Sequence, residues 1–214
     1  NIGAYGVEIK EVFEELTAVN RKTGQIEVFD RKACRFGYRE SVFKNVYKDQ
    51  YVIGQVTFKL TTKNHKLNTS YGAIGNTLET MGIKNPTIRD ISNAVISIRQ
   101  SKLPDPAKIG NAGSFFKNPS ISRTLFEQLK QNYNDIPGYE LPDNQVKVPA
   151  AWLIEKCGWK GYVKDNIGVH KNQALVLVNY GKGQGHDIKE LAMKIQGSVN
   201  EKFGIQLKPE VNII

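Results

Sequence analysis

The sequence is poor in the residues that build covalent or metal-held scaffolds. Its 214 residues include 2 cysteines and 3 histidines. Cys34 and Cys157 lie far apart, in neither a CxxC pair nor a disulfide framework, so a reduced, cytoplasmic protein is expected. No two histidines or cysteines stand at ligand spacing, which leaves no recognisable metal site. Long apolar runs are missing too. Stretches such as Ala174 to Val178 fall far short of the ~20 residues that span a bilayer. No charged-then-apolar segment opens the chain, so nothing marks it for secretion. Acids are in deficit, 21 against 30 Lys and Arg, for a formal charge of +9. The cations are interspersed with acids and apolar residues in runs shorter than five, which argues against a dedicated nucleic-acid arm.

What remains is globular: 40% hydrophobic and 24% charged residues, too apolar for a disordered chain. Val7 to Val19 alternates as a strand, and Arg21 to Gly24 reads as a hairpin turn into Gln25 to Phe29. Asp30 is placed to cap a short helical turn, Arg31 to Cys34. Tyr51 to Leu60 reads as a strand. Asn85-Pro86-Thr87 opens a helix that carries apolar residues from Ile88 to Arg99, and Leu103-Pro104-Asp105-Pro106 reads as a domain boundary. Beyond it, helices are expected at Ser122 to Tyr133, Pro149 to Cys157 and Asp187 to Phe203. A loop is expected from Asn134 to Asn144, and strands at Ala174 to Tyr180 and Gln206 to Ile214. Strands and helices mix without regular βαβ alternation, so the expected class is α+β.

Five segments can carry chemistry. Asn1-Ile2-Gly3-Ala4-Tyr5-Gly6 sets small residues around one aromatic; such a loop brings backbone amides close to a ligand, or is an ordinary tight turn. Gly181 to Gly185 precedes a helix but lacks GxxxxGK[ST], so a flexible loop with a helix cap is the better reading. Asn111 to Pro119 (NAGSFFKNP) holds a serine between a small-residue turn and two aromatics, with Lys117 and Asn118 as nearby donors. It lacks the GxSxG elbow, and His65, His170 and His186 suggest no serine–histidine pair. A catalytic Ser114 would therefore deliver a proton rather than attack an acyl group, the alternative being a structural turn. Cys34 to Ser41 (CRFGYRES) holds two arginines and a tyrosine, a fork for carboxylate or phosphate, or a surface cluster with internal pairs. Glu210, after Pro209, either points to solvent or faces a cationic site.

The strings NIGAYGVE, CRFGYRES, SKLPDP, GNAGSFFKNP, AAWLIEKCGWKG, HKNQALVLVN and LKPEV, in this order from the first residue nearly to the last, resemble the UDP-N-acetylenolpyruvoylglucosamine reductase (UDP-N-acetylmuramate dehydrogenase) family of peptidoglycan synthesis. The loop around Tyr139 looks like the form that carries an extra substrate-covering loop. The resemblance implies a C-terminal part lacking a first flavin-binding lobe. Residues 1–103 would be the second lobe of the FAD-binding domain, and residues 104–214 a UDP-sugar-binding domain. It implies NADPH reducing FAD, and reduced FAD reducing the enolpyruvyl ether of UDP-N-acetylglucosamine enolpyruvate. Arg39 would meet the substrate carboxylate, and Glu210 would polarise it, carrying its proton as a buried carboxyl does. Ser114 would protonate the neighbouring carbon. Tyr38, Tyr71, Lys102, Asn118, Tyr139 and Gln173 would contact the UDP-sugar. Asn1, Ile2, Gly3, Ala4, Tyr5 and Gly6 would contact flavin. Asn212 stands where related sequences carry arginine. A cytoplasmic monomer with no nucleic-acid or membrane partner is expected. The alternatives are a non-redox nucleotide- or RNA-binding module and a catalytically silent relative.

Overall fold

The computed structural model describes residues 1–213. Two compact units divide it, residues 1–98 and 99–214, the division falling inside a helix a few residues ahead of the Leu103 to Pro106 segment.

The first unit begins with a small hairpin, β1 (Gly3–Ala4) and β2 (Val7–Glu8), followed by β3 (Phe13–Asn20), β4 (Ile26–Asp30), α1 (Arg31–Cys34), β5 (Tyr51–Phe58), α2 (Ile74–Thr80) and α3 (Ile88–Lys102). Strands β4, β3 and β5 form an antiparallel sheet in that order. The expected single strand over Val7 to Val19 is interrupted. Glu8 and Glu11 close a capping box around a short 3-10 turn, Ile9–Glu11, and such local side-chain bonds outcompete an extended ladder. The hairpin turn is held by Asn20, whose Oδ1 accepts from the Lys22 and Thr23 amides at 3.0 and 3.3 Å. Asp30 caps α1, accepting from the Ala33 amide at 2.7 Å. Leu16 and Ala18 alternate inward from β3 and pack with Phe13, Phe29 and Cys34. A second cluster, Ile74, Leu78, Ala94 and Ile98, joins α2 to α3.

The second unit contains β6 (Gly110–Ser114), β7 (Ser120–Ser122), α4 (Arg123–Asn132), β8 (Tyr139–Leu141), β9 (Gln145–Lys147), α5 (Ala150–Lys156), β10 (Val163–Lys164), β11 (Ile167–Val169), β12 (Val176–Asn179) and α6 (Gly185–Phe203). One antiparallel sheet runs β10-β11-β12-β6 and another β7-β9-β8. Helix α6 turns Leu191, Ala192, Ile195, Val199 and Phe203 into the core at helical spacing, where they join β12 and the fully buried Leu153 and Ile154 of α5. Burial of each of the larger of these side chains contributes roughly 1.5–3 kcal/mol.

Three expectations fail here. The segment 206–213 is not a strand: it makes one bridge, Phe116 with Pro209, because proline has no N–H to extend a ladder. Ile214, the end of that expected strand, lies outside the described residues. The small-residue turn expected at the start of Asn111 to Pro119 is instead part of β6, Gly110–Ser114, an edge strand recruited by the buried β12. Tyr139–Leu141, expected as loop, is β8, paired antiparallel to β9.

Candidate active site

In the first unit, Tyr5 and Gly6 form the turn of the β1–β2 hairpin with φ of 53° and 78°, as a two-residue hairpin turn requires. Arg39 returns to this hairpin from its own tight turn, where the Gly37 and Glu40 backbones bond reciprocally at 3.0 and 3.2 Å. Its Nη1 donates to Glu8 Oε1 at 3.2 Å and its Nη2 to the Gly3 carbonyl. The guanidinium also lies 5.0 Å from the Tyr38 ring centroid. Asn1 donates from Nδ2 to the Gly37 carbonyl at 2.8 Å. The Tyr71 ring meets Tyr5 edge-on at 6.3 Å. So Asn1 to Gly6, Tyr38, Arg39 and Tyr71, scattered in sequence, share one surface. Cys34, beneath the same string, is fully buried, and burial followed by the Asp30 charge pushes its thiol up to about 11; it is a packing residue.

Can this surface hold a flavin? Ile2, Ala4 and Gly6 are exposed, and a Cβ on Gly6 would stand 3.0 Å from Asn68 Nδ2 and 3.1 Å from the Tyr71 ring. Small residues beside a guanidinium and two tyrosines fit a planar, anionic group.

In the second unit, β6 ends at Ser114. Gly113 at φ 71° and a register shift between Val176 and Val178 mark a bulge, and Asn111 Oδ1 accepts from the Gly113 amide at 3.0 Å. Bulges re-aim the following side chain; Ser114 is exposed. Its neighbour Phe115 bonds on both sides, donating to the Leu175 carbonyl and accepting from the Glu210 amide, each at 2.8 Å. Ser114 and Glu210, distant in sequence, therefore sit on adjacent backbone segments. Glu210 is half-buried, not fully buried as a proton-holding carboxyl was expected to be.

Gln173 lies beside them. Its carbonyl accepts from the Val176 amide at 3.0 Å, and Val176 is the ladder partner of Ser114. Asn118 Oδ1 accepts from the Ala150 amide at 2.9 Å and so caps α5, where Pro149 offers no side-chain cap. Tyr139 stands apart on β8, exposed, with Lys147 Nζ 5.9 Å from its ring centroid. Lys102 is exposed at the end of α3. Asn212, with Val211 and Ile213, lines a groove of about 670 Å³ between β6 and the start of α6. The Gly181 to Gly185 loop is held by Asn179, whose Oδ1 accepts from the Gly181 and Gly183 amides at 2.9 and 3.1 Å. A capping box between Gln184 and Asp187 follows it. Its amides serve the fold.

Sequence reading missed Glu8 and Lys147, which meet Arg39 and Tyr139. Glu8 lies far from Arg39 in the chain, and Lys147 meets Tyr139 only through the pairing of β8, expected as loop, with β9. Among the described residues, no group of three or more His, Cys, Asp or Glu is placed to hold a metal ion. No helix among them is long and apolar enough to cross a membrane.

The family pattern described as "UDP-N-acetylenolpyruvoylglucosamine reductase, C-terminal domain" matches residues 105–214. Over the whole chain, proteins named UDP-N-acetylenolpyruvoylglucosamine reductase are 52% identical in Flavobacterium johnsoniae, 49% in Pseudomonas aeruginosa and 53% in Amoebophilus asiaticus. The chain spans 64%, 62% and 63% of their respective lengths. The crystal structure of UDP-N-acetylenolpyruvylglucosamine reductase from Thermus caldophilus superposes with a TM-score of 0.58 at 19% identity, covering 99% of this chain and 56% of that one. At that identity the likeness speaks for the fold.

Proposed function

This chain belongs to the UDP-N-acetylenolpyruvoylglucosamine reductase family, and from that premise we propose that it supplies the substrate-reducing machinery of a flavin-dependent reductase of peptidoglycan precursor synthesis. Its substrate would be UDP-N-acetylglucosamine enolpyruvate, and NADPH the source of electrons. In this reading residues 1–103 form a flavin-binding lobe and residues 104–214 bind the UDP-sugar. The observation that supports the reading is the backbone bond from the Glu210 amide to the Phe115 carbonyl, which brings the Glu210 segment alongside the residue that follows the exposed Ser114.

The Asn1 to Gly6 hairpin would hold an FAD, which would supply the hydride for the vinyl carbon. The chain's own residues manage the resulting negative charge. The fixed guanidinium charge of Arg39 meets the substrate carboxylate and stabilises it as electron density builds there, so its effect is larger in the transition state than in the ground state. Glu210 would polarise that carboxylate. The Ser114 hydroxyl then gives its proton to the adjacent carbon. Serine is a weak acid, but a carbanionic carbon is a strong base, so positioning suffices. Tyr38, Tyr71, Tyr139 and Gln173 orient the sugar nucleotide. The Asn118 Nδ2 group and the Lys102 ammonium serve its diphosphate. We assign the work to a monomer in the cytoplasm, without nucleic acid or membrane.

The test uses the full-length gene product with FAD. NADPH oxidation should depend on UDP-N-acetylglucosamine enolpyruvate. Ser114→Ala should leave flavin reduction by NADPH intact and slow reoxidation by substrate about 10²-fold or more. A folded, flavin-loaded enzyme that oxidises NADPH no faster with the substrate than without it would refute the assignment.

A further inference from the structure

We propose that Glu8 is a positioning residue for Arg39, holding its guanidinium at the angle from which it meets a substrate carboxylate. The inference rests on the role given to Arg39 above and adds a residue that role requires. Arg39 leaves the backbone at φ 54°, and its long side chain must be carried back to the hairpin. Two contacts fix it there: Nη1 donates to Glu8 Oε1 at 3.2 Å, and Nη2 donates to the Gly3 carbonyl. Because a guanidinium is planar and rigid, two bonded nitrogens set its plane. The pair is withdrawn from solvent, with side-chain exposures of 16% for Arg39 and 22% for Glu8.

Glu8 is itself anchored. Its other oxygen, Oε2, meets Lys10 Nζ at 2.7 Å. Burial works to raise the Glu8 carboxyl, but hydrogen bonds from Lys10 and Asn1 and the charges of Lys10 and Arg39 outweigh it and hold the group below its ordinary value. Lys10 has an electrostatic consequence as well. One carboxylate between two cations leaves the trio with a net positive charge, so Glu8 orients Arg39 without cancelling its attraction for an anion. Gly3 completes the arrangement: a Cβ there would stand 2.8 Å from both Arg39 Nη1 and Glu8 Cγ. The hairpin residues nearest the guanidinium thus admit it only where Glu8 holds it.

Two readouts test this. In the 214-residue chain, guanidinium nitrogen NMR should show restricted rotation of Arg39 in the wild type and in Glu8→Gln, which keeps an acceptor oxygen, and free averaging in Glu8→Ala. In the full-length enzyme with FAD, Glu8→Ala should leave reduction by NADPH unchanged and slow reoxidation by substrate up to about 100-fold, the scale of a mis-set catalytic group. Glu8→Gln should recover most of that rate. A general loss of structure would slow both half-reactions together and would overturn the proposal. So would reoxidation of Glu8→Ala within twofold of wild type. Arg39→Lys separates the two ideas: if it abolishes substrate reoxidation while Glu8→Ala does not, Arg39 keeps its role and Glu8 loses the one proposed. If the wild type shows no substrate-dependent oxidation, the functional reading itself falls, and the NMR comparison still decides whether Glu8 orients Arg39.

Discussion

Replacing Asn118 by alanine removes the side chain that caps α5, and the cost can be worked from the structure. The Asn118 Oδ1 accepts from the Ala150 amide at 2.9 Å. Ala150 is fully buried and opens a helix whose N-cap residue, Pro149, provides no side-chain acceptor. Losing a helix cap costs about 0.5–2 kcal/mol, and leaving a buried N–H unpaired about 1–3 kcal/mol. One bond is involved, so the two figures describe the same loss, about 1.5 kcal/mol. For a unit of residues 99–214, that corresponds to a fall in Tm of about 6 °C. Asn118→Asp behaves differently. It keeps the acceptor and adds a negative charge at a helix N-terminus, so stability should stay within about 0.5 kcal/mol of wild type. It also replaces the Nδ2 donor with a carboxylate, which should weaken binding of an anionic sugar nucleotide sharply. Urea denaturation followed by tryptophan fluorescence suits the purpose, because the chain's 2 tryptophans, Trp152 and Trp159, lie within and just beyond α5. Equal destabilisation by both variants, or by neither, would refute the cap and with it the fixed orientation of the amide.

Two further substitutions test other parts of the fold. Gly138→Ala places a Cβ 2.5 Å from Phe126 Cζ and 2.8 Å from Val146 Cγ1, both ends of core side chains; the second unit should lose about 1–3 kcal/mol in urea titration, and an unchanged midpoint would mean the loop before β8 relaxes freely. His170 is buried, and burial, reinforced by the charge of Lys171, lowers the pKa of its imidazole below the usual histidine value of 6.5. Its Nδ1 accepts from the Asn172 amide at 3.4 Å. The unfolded chain therefore takes up this proton at a higher pH than the folded one. The His170 contribution is complete above about pH 6.5 and is lost as the pH falls toward the lowered value. His170→Gln should flatten the wild-type fall in stability between pH 6.5 and 5, and identical slopes would exclude His170 as its source.

Where local chemistry decides, the chain is legible residue by residue. Asp30 ahead of Arg31 to Cys34, Ser122 ahead of α4, the Arg21 to Gly24 turn and the 3.6-residue spacing of Leu191, Ile195 and Val199 each satisfy their own backbone groups or bury their own face, so neighbours in sequence suffice to predict them. The seven family strings are equally legible, because each is contiguous. Gly110 to Ser114 is different. Nothing in Gly-Asn-Ala-Gly-Ser favours a strand; it becomes one because the buried β12 has an edge to satisfy. The Lys-Pro-Glu-Val segment reads as a strand by composition and is held instead by two backbone bonds, from the Glu210 amide to the Phe115 carbonyl and from the Lys117 amide to the Lys208 carbonyl.

The candidate site divides in the same way. Residue types and strings nominate Arg39, Ser114 and Glu210, but the sequence is silent on what touches them. That Glu8 grips Arg39, that the Glu210 amide bonds to the residue after Ser114, and that the Asn118 side chain is committed to a helix terminus all follow from long-range backbone pairing. Hydrogen bonds and ion pairs act over about 3 Å in space whatever the separation along the chain, so their partners exist only once the sheets have brought distant segments together.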